Sequence, residues 1–282
     1  MTIEADQIVT PAAEGGVFRS IGTKPAKLHI GWDGRIESWD RDSAITAERQ
    51  IGSRDCIVGP GFIDLHFHGY GDQDESRYPE IGIFTHPTGI LNRIVSHGTV
   101  ACLATIMAPI QSRRFFGIDL DARFRILRAE LAQLVADDHR GKTPRARLAG
   151  IHIEGPKLNP EVAGAIPQSC IWDATVRDIP MIIGEDEFGD RHGVRMVTVA
   201  PEMDIQGGFS LIRALAARNI VVALGHSSAS LEQSIAAVKA GARHLTHMYN
   251  AMGPLSHRNP GIMGVGLIDP RMYDSADNGL SL

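Results

Sequence analysis

The chain has 282 residues, 43% of them hydrophobic and 22% charged, which excludes a disordered or collagen-like polymer. Its net charge of −5 leaves no basic surplus for nucleic acid or membrane surfaces, and 6% aromatic residues argue against stacking platforms. The length suits one large α/β domain with a small companion.

Residues 1–58 read as a small β-rich subdomain and residues 59–282 as the larger one. Met1 to Val9 carries Glu4 and Asp6 and lacks the apolar core of a signal peptide. The runs Lys27–Ile30 and Arg35–Trp39 are strand-like, with Asp33-Gly34 as a hairpin signal between them. Cys56, Cys102 and Cys170 are few and widely spaced. They fit a reducing compartment, the cytoplasm, rather than a disulfide framework or a cysteine zinc site. No apolar run approaches the roughly 18 residues of a membrane span.

From residue 57 the pattern alternates strand, loop and helix. A strand ends in Gly61–His68. Thr88 to His97 reads as a helix with Thr88 at its N-cap and Gly98 beyond its end. Thr99–Thr105 is a strand, Ile126–Asp137 a helix, Arg147–Glu154 and Val194–Ala200 strands, and Gly208–Arg218 a helix. Ile220–Leu224 is a buried-type strand. Ser230 and Gln233 form a capping box opening a helix that Gly241 closes, and Arg243–His247 is the next strand. Such alternation indicates parallel βαβ units, in a barrel or an open doubly wound sheet. No glycine-rich phosphate loop follows the first strand, which weakens the nucleotide-fold alternative.

Polar residues collect where these strands stop. Period 2 puts Asp64, His66 and His68 on one strand face and Gly150, His152 and Glu154 on another. Two imidazoles at i and i+2 can converge on one metal, or remain a pair of loop histidines. Glu154 after an apolar run is costly unless paired or metal-bound. His226 directly follows the apolar run Ile220–Leu224, or is a histidine hydrogen-bonding its loop, and His247 ends the strand Arg243–His247. Together, His66, His68, Glu154, His226 and His247 all sit at C-terminal strand ends, where barrel enzymes place their chemistry. These N/O ligands suit one or two divalent ions, zinc first and iron or another metal next. Such an ion lowers the pKa of a bound water toward ~7 and favours hydrolysis of an amide or ester-like bond.

The strings Pro60–Gly69, His97-Gly98-Thr99, His152–Pro160, Ala200–Met203, Gly225-His226-Ser227, Thr246–Met252 and His257–Gly261 resemble the amidohydrolase superfamily, and within it the N-acetylglucosamine-6-phosphate deacetylases. The resemblance runs from about residue 25 to 265. It implies a β-sandwich plus a metal-bearing (β/α)8 barrel, usually dimeric, that removes acetate from N-acetylglucosamine 6-phosphate. Carried over by position, Glu154, His226 and His247 match the main metal ligands, and His66 and His68 the second-metal pair. Ala165, Asn250 and Ala251 match substrate-contacting positions. Arg258 matches the phosphate-binding arginine that serves the neighbouring subunit, and a guanidinium fork suits phosphate oxygens.

Two departures modify the expectation. Ile166 stands where the family has a histidine that polarises the acetyl carbonyl, and an apolar side chain cannot donate that hydrogen bond. Six strand ends are legible, and only 35 residues follow His247. The fold expected is therefore an incomplete (β/α)8 barrel with a small N-terminal β-sandwich-like subdomain. The family's eighth-strand aspartate, its general acid/base, is expected beyond the chain end, so no catalytic residue is identified. Asp269, Asp274 and Asp277 are substitute candidates. The competing readings are an impaired paralogue that keeps metal and sugar-phosphate binding, or another amidohydrolase reaction. Glu154 as ligand speaks against members that use a carbamylated lysine.

Overall fold

A computed structural model describes strand segments within residues 2–58, then residues 59–70, 81–138, 145–189 and 192–267, less a few single positions. The chain divides into two compact units, Met1–Phe62 and Ile63–Leu282.

The first unit is built of short strands in two sheets. One orders Ile36–Asp40, Ala26–Ile30, Thr2–Ala5 and Gln50–Ile51, and the other Phe18–Ser20, Gln7–Pro11 and Ile57–Val58. Ala26–Ile30 and Ile36–Asp40 pair antiparallel, as the Asp-Gly signal predicts, although the turn itself lies outside the described residues.

The second unit carries a six-stranded sheet: Phe62–Phe67, Thr99–Ile106, Arg147–Glu154, Val194–Val199, Val221–Leu224 and Ala242–Leu245, here the first to sixth barrel strands. Their spatial order follows the chain, so the first and sixth are its edges among the described residues. The pairings from second to sixth are all parallel. In a flat sheet the edge strands would stand about 24 Å apart. Instead the rings of His66 and His247, carried at the two edges, have centroids 5.2 Å apart. The sheet is therefore strongly curled, an incomplete barrel as expected.

The second to fifth strands bury most of their residues because both faces are covered, by helices outside and by side chains within. Helix Leu120–Asp138 shows how the outer layer docks. Leu120, Phe124, Leu127, Arg128, Leu131, Ala132 and Val135 are buried at helical spacing. Arg128 in that stripe lies 5.4 Å over the Phe124 ring and donates to the carbonyls of Met181 and Ile182 at the end of helix Ile179–Ile183. Gly184, at φ 82°, closes that helix, and a Cβ there would stand 2.7 Å from Arg128 Nε.

Some boundaries differ from the sequence reading. The first barrel helix is Pro87–Val95, so Thr88 lies inside it: Pro87, with no N–H to lose, takes the first position. The long helix starts at Leu120 rather than Ile126, because the Asp119 carboxylate accepts the Ala122 N–H. The helix read as Gly208–Arg218 is Ser210–Ala216. The capping box of Ser230 and Gln233 and the closure of Leu231–Ala240 at Gly241 are as read. Asp269, Asp274 and Asp277 lie outside the described residues. No helix among the described residues is long and apolar enough to cross a membrane.

Candidate metal centre

The five residues taken from the strand ends meet at one carboxylate. Glu154, 1% exposed, ends the third strand. Its Oε1 lies 2.9 Å from His226 Nε2, 3.2 Å from His247 Nε2 and 3.4 Å from His66 Nε2, and its Oε2 lies 3.0 Å from His68 Nε2. His66 is in the first strand and His68 just past it. His226 and His247 each follow a strand by two residues. Two ligand groups share Glu154: His66, His68 and Glu154, and Glu154, His226 and His247.

Three observations fit a cation here. First, the outward nitrogens of two rings are fixed by carbonyls: His226 Nδ1–H donates to Val162 O and His247 Nδ1–H to Asn250 O, each at 3.1 Å. A carbonyl only accepts, so Nδ1 carries a proton in each ring, and the neutral imidazole then offers its Nε2 lone pair inward, the tautomer a metal needs. Second, like atoms crowd the centre: His226 and His247 Nε2 are 3.0 Å apart, and His66 and His68 Nε2 are 3.1 Å apart. Third, Glu154 Oε2 is buried without a hydrogen bond, its approach to His68 being poorly aligned. A buried carboxylate oxygen left so is costly unless a cation answers it.

The electrostatics agree. Burial would push the Glu154 carboxyl up, but the four imidazoles around it, His226, His247, His66 and His68, overcome this and hold it far below the usual carboxylate range. Burial pushes His247 down, yet Glu154 holds it above the ordinary imidazole range. His152 faces the same interior two residues before Glu154. Burial, reinforced by His66, lowers it to about 3, so it is a neutral imidazole.

The loops that carry these ligands are held in costly shapes. His226 (φ 47°), His247 (φ 30°) and Ala251 (φ 51°) adopt left-handed backbone, at about 1–3 kcal/mol each. Glu202 helps to fix the first of them. It accepts from Asn159 Nδ2 at 2.9 Å, Ser227 Oγ at 2.6 Å and Ser228 N at 2.7 Å, while Asn159 N donates to His226 O at 3.0 Å. The sequence reading assigned Glu202 and His152 no role. Glu202 did carry a signal, a carboxylate just past the end of the fourth strand.

The positions matched to substrate contact divide. A Cβ on Gly164 would lie 3.6 Å from the His226 ring and 3.7 Å from Ala251 Cβ, so the loop bearing Ala165 stands beside the ligands and Ala251. Ala165 and Asn250 are exposed and Ala251 half-buried. Arg258 is exposed on the loop before helix Gly261–Leu267, and none of the contacts that build the ligand cluster includes it. Ile166 is buried in the hydrophobic core.

No protein-family model matches the chain. It is 33% identical over 239 residues to the N-acetylglucosamine-6-phosphate deacetylase of Bacillus subtilis, covering 83% of this chain and 54% of that protein. It is 31% identical over 222 residues to the N-acetylgalactosamine-6-phosphate deacetylase of Escherichia coli O157:H7, covering 77% and 51%. The crystal structure of the N-acetyl-D-glucosamine-6-phosphate deacetylase of Mycobacterium smegmatis matches with a TM-score of 0.69 at 27% identity, over 93% of this chain and 60% of that one. An aspartate-to-alanine mutant of that enzyme in complex with N-acetyl-D-glucosamine-6-phosphate matches with a TM-score of 0.67 at 26% identity, over 93% and 59%. The chain thus spans about half the length of the curated relatives it matches.

Proposed function

We propose, from this relation to the N-acetylglucosamine-6-phosphate deacetylases over about half of their length, that the chain carries the metal centre of an amide hydrolase. Its substrate is N-acetylglucosamine 6-phosphate and its products are glucosamine 6-phosphate and acetate. The observation that carries the reading is the pair of histidines, His226 and His247, locked with Nε2 inward on buried Glu154 at barrel strand ends. Glu154, His226 and His247 would hold the principal divalent ion, zinc first, and His66 and His68 would share Glu154 around a second. Such an ion supplies Lewis acidity and activates water at neutral pH.

The chain's own residues do the rest. Glu154 and the fixed Nδ1–H bonds hold the ligand nitrogens in place before the ion arrives. The loops bearing Ala165 and Asn250-Ala251 flank the ligands and would orient the sugar. Arg258 would pair with the 6-phosphate, from the partner subunit of a homodimer. We identify no general base among the described residues. Residues 1–58 form the small β-rich domain and residues 59–282 carry the chemistry, in the cytoplasm.

A second reading is favoured by Ile166. Buried in the core, it cannot polarise an acetyl carbonyl, and a missing electrophile of this kind costs about 10²–10³ in rate. The chain would then bind metal and sugar phosphate with little turnover. The test is acetate release by zinc-loaded protein from N-acetylglucosamine 6-phosphate, N-acetylgalactosamine 6-phosphate and unphosphorylated N-acetylglucosamine. Release from the first that vanishes on Glu154→Ala supports deacetylation. Zinc-dependent binding of the sugar phosphate without release supports the second reading. Neither release nor binding overturns both. Faster release from the galacto compound would reassign the sugar.

A further inference from the structure

Beneath the ligands a single file of polar groups crosses the barrel interior. His152 Nδ1 lies 3.1 Å from Leu65 O, and His152 Nε2 lies 2.7 Å from Thr198 Oγ1. Thr198 Oγ1 lies 2.8 Å from Thr246 Oγ1. His152, Thr198 and Thr246 are each no more than 1% exposed. The proton directions follow from one fixed end. Leu65 O is a carbonyl and only accepts, so His152 Nδ1–H donates. A neutral imidazole has one donor and one acceptor nitrogen, so with Nδ1 donating, Nε2 is the acceptor and the Thr198 hydroxyl donates to it. Thr198 has then used its proton, and the Thr246 hydroxyl donates to Thr198. The chain runs one way: Thr246 to Thr198 to His152 to Leu65.

Its ends lie at the two edges of the curled sheet. Leu65 belongs to the first strand and precedes His66. Thr246 follows the sixth strand and precedes His247. His152 stands two residues before Glu154, on the same face. The file therefore links the segments that carry three of the five ligands, by bonds that touch none of their ligand atoms. Gly225, next to His226, leaves the room it needs: a Cβ there would stand 2.8 Å from Thr246 Cβ and 3.2 Å from Thr198 Cγ2.

We propose that the Thr246–Thr198–His152–Leu65 chain is a positioning device that sets the spacing of the edge-strand ligands His66 and His247 about Glu154. It holds the arc of six described strands at the width a metal ion requires. The proposal rests on the metal-centre reading above. Outer partners of this kind are worth about 10–100-fold in metal affinity.

The test uses the whole chain and zinc competition against a chromophoric chelator. Thr198→Val, nearly isosteric, keeps the packing and breaks the file at its middle. The expected result is a loss of about tenfold or more in zinc affinity, most of it recovered in Thr198→Ser. Thr246→Val should weaken zinc less, because His152 keeps its donor. The double variant should cost less than the sum of the two, as members of one network do. Gly225→Ala, which crowds both threonines, should also weaken zinc. Wild-type affinity in Thr198→Val would overturn the proposal. A second readout needs no metal. Long-range proton–nitrogen NMR of the apo protein should show His152 as the Nδ1–H tautomer, and a protonated Nε2 would overturn the directed chain. If the wild-type protein binds no zinc, the metal-centre reading fails and this spectrum still reports on the file.

Discussion

The two sides of the ligand cluster use the same residue type and hold it differently. On one side, His226 and His247 have their outer nitrogens tied to carbonyls, with side-chain exposures of 4% and 23%. The His226 loop is further anchored through Glu202 and Asn159. On the other side, His66 and His68 stand on an edge strand with side chains 24% and 32% exposed. His66 Nδ1 is buried without a hydrogen bond, so no acceptor fixes its tautomer. That strand is tied through its backbone instead: Phe67 N donates to Thr105 Oγ1 of the second strand at 3.0 Å, and within the strand His66 N donates to Asp64 Oδ1 at 3.0 Å. Convergence of donor atoms is thus distinct from preorganisation. The first is present on both sides and the second is concentrated on one. On the proposed metal-centre reading, the tighter ion is expected at Glu154, His226 and His247.

The largest expected effect comes from the residue both sides share. Glu154→Gln removes the anionic ligand of each and should lower zinc affinity by more than the roughly 100-fold ceiling of outer partners. Chelator competition measures this, and near-wild-type affinity would remove Glu154 from the centre. Next comes Glu202→Gln, which weakens the clamp on the His226 loop alone. About tenfold weaker binding of the tighter ion is expected, with the His66–His68 side unaffected. Equal weakening of both sides would erase the asymmetry.

The pH response is smaller. Without metal, the raised pKa of His247 contributes stability below its unfolded value near 6.5, and this fades as pH rises through the folded value. The lowered pKa of Glu154 contributes stability that is fully present above its unfolded value near 4.5 and is lost progressively as pH falls below it. Protons also compete with metal for the imidazoles. The rise in Tm on adding zinc should therefore grow from about pH 6 to about pH 8. A zinc shift that shrinks over that interval would contradict the assignment. The smallest change is Ser230→Ala, which removes a helix cap outside the cluster. It should cost about 1 kcal/mol in a denaturant titration and leave zinc affinity unchanged.

Much of this was legible from the sequence for a physical reason. A strand buried on both faces reads as an unbroken apolar run, so the polar residue that ends it stands out. Glu154 and His226 stand out that way, His247 by its place at the end of the next strand, and the His66–His68 pair by its period. Thr198 and Thr246 were not, because a threonine in a β-branched run looks like an ordinary strand former, and its hydroxyl partner lies on another strand. His152 was placed on the correct face, but its partners come from the first and fourth strands, a long-range fact that spacing does not encode. The long helix was begun six residues late because Asp119, the cap that decides its start, was passed over. Ile166 was recognised as a departure, and its burial shows that its side chain joins the core.

The most direct test of the asymmetry is a paired zinc titration of His226→Asn and His66→Asn against the wild-type chain, following stoichiometry and affinity together. The account predicts that His226→Asn abolishes the tighter binding, whereas His66→Asn leaves one ion bound at close to wild-type affinity. Equal losses in the two variants, or loss of the tighter ion in His66→Asn alone, would contradict it.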